Sequence, residues 1–272
     1  MTNQELYYQR WQTDNTPKAN VLLVHGLGEH CHRYETLASY LNSAGYSVYS
    51  MDLPSHGNSY GTPGHIDSFE VFQDSVLKLY GRIMASQADI PMFILGHSMG
   101  GLIVTRFIQK HQEKFIGALL SGAAIESPQK PATWQINLIT LIAKLFPKFG
   151  AMQLDASGIS RDPAVVENYR NDPLVHKGKL SAKFLVEMNN TMEQAKLEAN
   201  KITLPILIMH GGSDPMTAPS GSQFLYDNVN SGDKTLNIYD DLMHEIFNEP
   251  EAPSIYKEMV NWLDAHCAKS IA

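Results

Sequence analysis

The residues Gly96-His97-Ser98-Met99-Gly100 match the spacing G-x-S-x-G. They lie between an apolar run, Met92-Phe93-Ile94-Leu95, and a helix-length segment, Gly100 to His111. A sharp strand-to-helix turn in this setting forces the serine into a strained backbone and lifts its hydroxyl out of a sheet. Side chains at the flanking glycines would collide with neighbouring elements, and the helix N-terminus offers free N–H groups to developing negative charge. The competing reading, an ordinary glycine-rich turn, leaves that placement unexplained.

A serine hydroxyl is a weak nucleophile at its free pKa and needs a base, which in turn needs an orienting group. With an elbow of this kind the chain order is serine, carboxylate, histidine. Asp214, in Gly211-Gly212-Ser213-Asp214-Pro215, and His244, after Asp241-Leu242-Met243, fit that order. Asp240 and Asp241 compete for the acid's role but fall after the last apolar run and close to His244. With eleven histidines in the chain, a lone histidine means little. His25 and His210 each end an apolar run before glycine and are expected to be structural, His97 to pack locally, and His56 to brace a loop.

Acyl transfer also needs an oxyanion hole. One donor is expected from the N–H of Met99, which follows the nucleophile, and the other from the N–H of Leu27 in His25-Gly26-Leu27-Gly28. A plain glycine turn is the alternative for that loop.

These groups need a scaffold that brings distant loops together. Short apolar runs that stop at small or polar residues recur along the chain: Val21 to Val24, Ser47 to Met51, Met92 to Leu95, Ile116 to Leu120, Ile206 to Met209 and Leu236 to Tyr239. Such runs suit strands buried on both faces of a parallel sheet. Helix-length segments over 34–44, 69–85, 100–111 and 255–267 alternate with them, which argues for an α/β architecture with a mostly parallel central sheet flanked by helices. Leu6 to Trp11 adds an expected antiparallel edge strand. Residues 1–125 and 203–272 form the expected core. From 126 to 202 no clear strand is visible and Pro128, Pro131, Pro147, Pro163 and Pro173 punctuate the chain, so an inserted, mainly helical cap is expected. Trp134 to Phe149 is apolar on nearly every side.

Composition narrows the function classes. The chain has 272 residues and a formal net charge of −7, which disfavours a nucleic-acid partner. Cys31 and Cys267 have no metal-ligand spacing, and no metal is expected. Sparse cysteine, and an N-terminus Met-Thr-Asn-Gln-Glu without basic start or apolar run, lead us to expect a reducing, cytoplasmic setting. No apolar stretch is long enough for a spanning helix. The oligomeric state stays open.

Taken together, His25-Gly26-Leu27-Gly28-Glu29-His30, Arg33-Tyr34, Gly96-His97-Ser98-Met99-Gly100-Gly101, His244-Glu245 and Asn248-Glu249 resemble the monoacylglycerol lipases and lysophospholipase-like relatives of the α/β-hydrolase fold. The similarity runs from about Leu6 to Trp262. One departure is Ser55-His56-Gly57, where members usually carry G-H-G. The resemblance implies hydrolysis of a monoacylglycerol to fatty acid and glycerol through an acyl-enzyme, without metal or organic cofactor. It implies a cap that forms an apolar acyl tunnel above Ser98, for which Ile136 to Phe146 supplies surface, and transient membrane contact through that cap. It also suggests Glu29 and Arg33 near the polar end of the site, binding the headgroup or holding the oxyanion loop; a local i,i+4 ion pair is the plainer reading. Alternatives are a lysophospholipase, a short-chain carboxylesterase, an aminopeptidase using Glu167, Glu187 or Glu193 to hold an α-ammonium, and a non-catalytic binding protein of the same fold.

Overall fold

Residues 5–271 are described by the structure, a computed structural model. In chain order, β1 (Tyr8–Trp11), β2 (Ala19–Val24), α1 (Glu35–Ser43), β3 (Tyr46–Met51), α2 (Glu70–Gln87), β4 (Met92–His97), α3 (Met99–His111) and β5 (Gly117–Ser121) come first. A stretch with α4 (Thr133–Leu145), β6 (Gly150–Gln153), α5 (Pro163–Asn171), β7 (Lys179–Ser181) and α6 (Ala182–Leu197) follows. Then β8 (Ile206–Gly211), α7 (Pro219–Asn228), β9 (Lys234–Tyr239) and α8 (Ala252–Ile271) close the chain.

The seven-stranded sheet has the order β1-β3-β2-β4-β5-β8-β9. Every neighbouring pair is parallel except β1 with β3, which pair antiparallel as expected for the edge. Successive side chains on a strand point to opposite faces. Accordingly Ile94 of β4 joins one core with α2, α3 and α7, while Phe93 and Leu95 join the other with α1 and α8. Both faces are therefore covered, which is why these strands read as continuous apolar runs. Truncating Leu95 to Ala would cost about 2–5 kcal/mol through lost contacts and a cavity.

Two expectations need correction. The stretch from 126 to 202 does contain strands: β6 and β7 pair antiparallel as a separate two-stranded sheet. Elements of four and three residues are too short for alternation to register in a sequence. In addition, β9 is only half-buried, because it is the edge of the sheet and has a neighbour on one side only. The apolar segment from Trp134 gives α4, which stops at Leu145 ahead of Pro147, a residue that cannot continue the ladder.

Ser55, at the departure from G-H-G, has a left-handed backbone with φ 67°. Glycine adopts that region without penalty, whereas serine is strained there. The Ser55 hydroxyl offsets part of the strain by donating to the His65 carbonyl at 2.8 Å.

Candidate active site

Ser98 sits at the junction of β4 and α3 with φ 56° and ψ −121°. This strained strand-to-helix turn is the geometry that the G-x-S-x-G motif requires. Crowding explains the glycines. A Cβ on Gly96 would lie 2.4 Å from the Gly100 carbonyl oxygen, and one on Gly100 would lie 2.1 Å from that of Val24. The turn is tied to its neighbour by Ser98 N–H donating to Ser121 O at 2.9 Å and Ala124 N–H to Ser98 O at 3.0 Å.

Asp214 and His244 occupy loops after β8 and β9, at the C-terminal edge of the sheet where Ser98 also lies. His244 Nδ1 is 2.7 Å from Asp214 Oδ2, and both residues are buried. Asp214 Oδ2 also accepts from Thr217 Oγ1 at 2.8 Å, while Oδ1 accepts the N–H groups of Met216 at 2.7 Å and Thr217 at 3.0 Å. Burial works to raise the Asp214 pKa, but hydrogen bonds from His210, His244 and Thr217 with the His244 charge pull it far below the carboxylate range. Burial also works against a charged His244, and here the Asp214 bond and charge prevail, so its pKa is raised. The pair sets a carboxylate that favours its ionised form against Nδ1 of the imidazole, an arrangement in which an Nδ1–H donor would leave Nε2 without a proton.

His210 is closer to this chemistry than its sequence setting suggests. Its Nε2 lies 3.1 Å from the same Asp214 oxygen, and its Nδ1 is 2.7 Å from Ser222 Oγ. Thr217 carried no motif signal at all; the one available cue was a hydroxyl residue three positions after an acid, a spacing suited to local turns. His25 is structural, as expected: Leu53 N–H donates to its Nε2 at 2.9 Å, so Nδ1–H donates to Gly26 O at 2.8 Å. His56 Nδ1 contacts Pro54 O at 2.9 Å within its own loop. Asp240 and Asp241 have no bond to His244 among the described contacts.

The loop after β2 brings Gly26 and Leu27 beside Ser98. A Cβ on Gly26 would lie 3.0 Å from Ser98 Cβ and 2.8 Å from Glu29 Oε1. Among the described residues, neither Leu27 N–H nor Met99 N–H is used in a hydrogen bond outside regular elements. Glu29 and Arg33 do form the i,i+4 ion pair, 2.8 Å apart, but the cluster is larger. Glu29 Oε1 accepts from Gly26 N–H at 2.6 Å and from the Tyr34 hydroxyl at 2.7 Å. Arg33 also forks onto Glu245 at 2.6 and 2.8 Å, under the ring of Tyr169 at 4.7 Å. Burial disfavours a charged Glu29, yet Arg33 and then His97 and His25 hold its pKa at about 2.

A cavity of about 390 Å³ is lined by Ser98, His244, Leu27, Glu29, Glu245 and Tyr169, among others. An apolar chamber of about 400 Å³ adjoins it, lined by Ile136, Ile139, Leu185 and Met192 of α4 and α6. Leu27, Met152, Leu154, Met188 and Met216 line both, so the two spaces lie against a common wall. Glu167, Glu187 and Glu193 line neither. Glu187 is instead bonded to Lys183 and the Phe69 N–H, and Glu193 to Lys196.

Residues 15–251 match the model of the family described as Serine aminopeptidase, S33. The chain belongs to this family. Within it, the chain is 34% identical over 264 residues to the monoacylglycerol lipase of Mycolicibacterium smegmatis, covering 96% of this chain and 93% of that one. It is 31% identical to the monoglyceride lipase of Mus musculus, covering 97% and 88%. The crystal structure of the Paleococcus ferrophilus monoacylglycerol lipase superposes with a TM-score of 0.87 at 34% identity, covering 96% and 99%. A soluble variant of the Saccharomyces cerevisiae monoglyceride lipase, solved with a substrate analogue, gives 0.82 at 27% identity, covering 95% and 91%. The fold is thus that of the α/β-hydrolases, a mostly parallel sheet flanked by helices.

Proposed function

We propose that the chain hydrolyses monoacylglycerols to a fatty acid and glycerol. The observation that carries this reading is the cavity lined by both Ser98 and His244, with an apolar chamber sharing its wall. The relatives named monoacylglycerol and monoglyceride lipase support the same substrate.

Ser98 attacks the ester carbonyl as His244 takes its proton, with Asp214 fixing the imidazole. The N–H groups of Leu27 and Met99 hold the oxyanion. Protonated His244 then donates to the departing glycerol, and a water activated by the same histidine releases the fatty acid. The acyl chain occupies the apolar chamber beneath a cap formed by residues 126–202.

The charge at the polar end favours a neutral headgroup. Arg33 is already engaged by Glu29 and Glu245, so a phosphodiester would meet two carboxylates and no spare cation in that cluster. This argues for glycerol over a lysophospholipid headgroup, although one relative is named a phospholipase.

The cap also suits contact with a lipid surface. Ile136 and Ile139 of α4 face the chamber, while Trp134, Leu138, Leu141 and Leu145 are exposed on another side of the same helix. A helix apolar on two faces, one of them open, fits shallow insertion at an interface. No helix among the described residues is long and apolar enough to cross a membrane.

The decisive experiment is turnover of a long-chain monoacylglycerol by the chain and by Ser98→Ala. Activity of the first and its loss in a folded second variant are expected; retained turnover in Ser98→Ala overturns the assignment.

A further inference from the structure

The loops that carry the expected oxyanion donor and the expected base come from distant parts of the chain. They are joined through one buried guanidinium. Glu29 Oε1 fixes the Gly26 N–H at 2.6 Å, one residue before Leu27. Glu29 Oε2 receives Arg33 at 2.8 Å. Arg33 passes on to both oxygens of Glu245, the neighbour of His244. All three side chains are at most 10% exposed. Glu245 is in turn clamped from the segment between β6 and α5, its N–H donating to Ile159 O at 2.7 Å, while its Oε2 accepts from Asn248 Nδ2 at 2.8 Å.

We propose that Glu245, acting through Arg33 and Glu29, is a positioning residue that locks the His244 loop to the oxyanion loop and adds its charge to the field around His244. A planar guanidinium bonded to carboxylates on two sides transmits position well, because its fork accepts little angular error. The inference rests on the proposed roles of His244 and Leu27. It departs from a headgroup role for Glu29 and Arg33, since the Glu29 oxygens and the Arg33 fork are occupied by protein.

The groups around His244 are Asp214 and Thr217 from the loop after β8, His97 from the elbow, Glu29 from the loop after β2, and Glu245 beside it, with Arg33 bonded to both Glu29 and Glu245. Of these, Glu245 can be neutralised while leaving Glu29 and Arg33 as a balanced pair, so Glu245→Gln is the informative change. Removing a nearby carboxylate makes the imidazolium less favourable, and the base must then titrate at lower pH.

The test measures the purified full chain on a monoacylglycerol and on a nitrophenyl ester, which lacks glycerol, across pH 5 to 9. In Glu245→Gln we expect kcat to fall roughly 10–100-fold on both esters, with KM little changed, because the reacting groups are misplaced by a fraction of an ångström. The acid limb of kcat/KM should move down by roughly half a pH unit. Loss confined to the glycerol ester, loss with an unmoved acid limb, or no loss overturns the proposal. A wild-type chain inert on both esters would count against the proposed function instead. Should Glu245→Gln fail to fold, Arg33→Lys keeps the net charge but not the fork; it should lower kcat on both esters, and full activity there also overturns the proposal.

Discussion

The rings of His97 and His244 lie 4.7 Å apart, centroid to centroid, yet their protonation is driven in opposite directions. Burial, followed by the charge of His244 itself, pushes His97 down to about 3. His244 is equally buried, but the bond and charge of Asp214, with Glu245 and Glu29 behind, raise it. Environments that split two neighbouring titratable groups define which of them handles protons. His97 remains a neutral platform, held to Ser121 Oγ at 3.1 Å, which leaves His244 as the ring suited to the proposed proton transfers.

Asp214 has the strictest role to test. Asp214→Asn keeps the volume but changes the imidazole tautomer, so kcat should drop by roughly 10⁴-fold in a folded protein. Thr217→Val removes one hydroxyl bond to the same carboxylate and should cost about tenfold, the equivalent of about 1.4 kcal/mol. Steady-state kinetics on a nitrophenyl ester checks both; comparable activity of Asp214→Asn and wild type would remove Asp214 from the mechanism.

The oxyanion loop can be tested without touching its backbone donor. In Gly26→Ala the new methyl would sit 2.8 Å from Glu29 Oε1 and 3.0 Å from Ser98 Cβ, so either the Glu29 carboxylate or the loop must give way. If the proposed Leu27 donor is displaced, kcat should fall by roughly 10²–10³-fold. The fold, measured by circular dichroism, should survive. Full activity of Gly26→Ala would count against Leu27 N–H as a donor.

Acid should destabilise the protein early. His56 and His97 titrate ordinarily near 6.5, but burial foremost, together with neighbouring histidines, holds each at about 3 in the folded chain. Between those values the unfolded chain binds more protons. Stability is therefore complete above pH 6.5 and is lost as pH falls toward 3, at up to about 1.4 kcal/mol per pH unit for each group. Glu29, held at about 2 against an ordinary 4.5, adds loss only below 4.5. Thermal unfolding from pH 8 to 4 should show Tm falling already between 6.5 and 5, with a shallower slope in His56→Gln. A flat Tm across that interval contradicts the assignment.

The exposed face of α4 predicts a separable membrane phenotype. Trp134, at 66% exposure, and Leu141 lie outside both chambers. Replacing both with Ser should lower partitioning onto phosphatidylcholine vesicles by at least about tenfold, since each apolar side chain contributes roughly 1.5–3 kcal/mol when buried. Hydrolysis of a water-soluble nitrophenyl ester should be unchanged. Equal sedimentation of variant and parent with vesicles would rule the face out as a docking surface.

The sequence alone determined the features that local chemistry dictates. Gly96-His97-Ser98-Met99-Gly100 between an apolar run and a helix specified the elbow, because only that crowding demands glycine on both sides of a strained serine. The buried strands were legible as uninterrupted apolar runs, since both faces of a parallel sheet are covered. Tertiary structure decided what depends on distant residues meeting. Thr217 and His210 at Asp214, Glu245 on Arg33, and the pairing of β6 with β7 leave no periodic trace, because each is a contact across the fold between short or isolated elements. The positive φ of Ser55, where glycine is usual, likewise became visible only with its neighbours. The protonation states follow the same division. A histidine's type is written in the sequence, but whether its pKa is pushed down, as for His97, or up, as for His244, depends on burial and on charges brought near by folding.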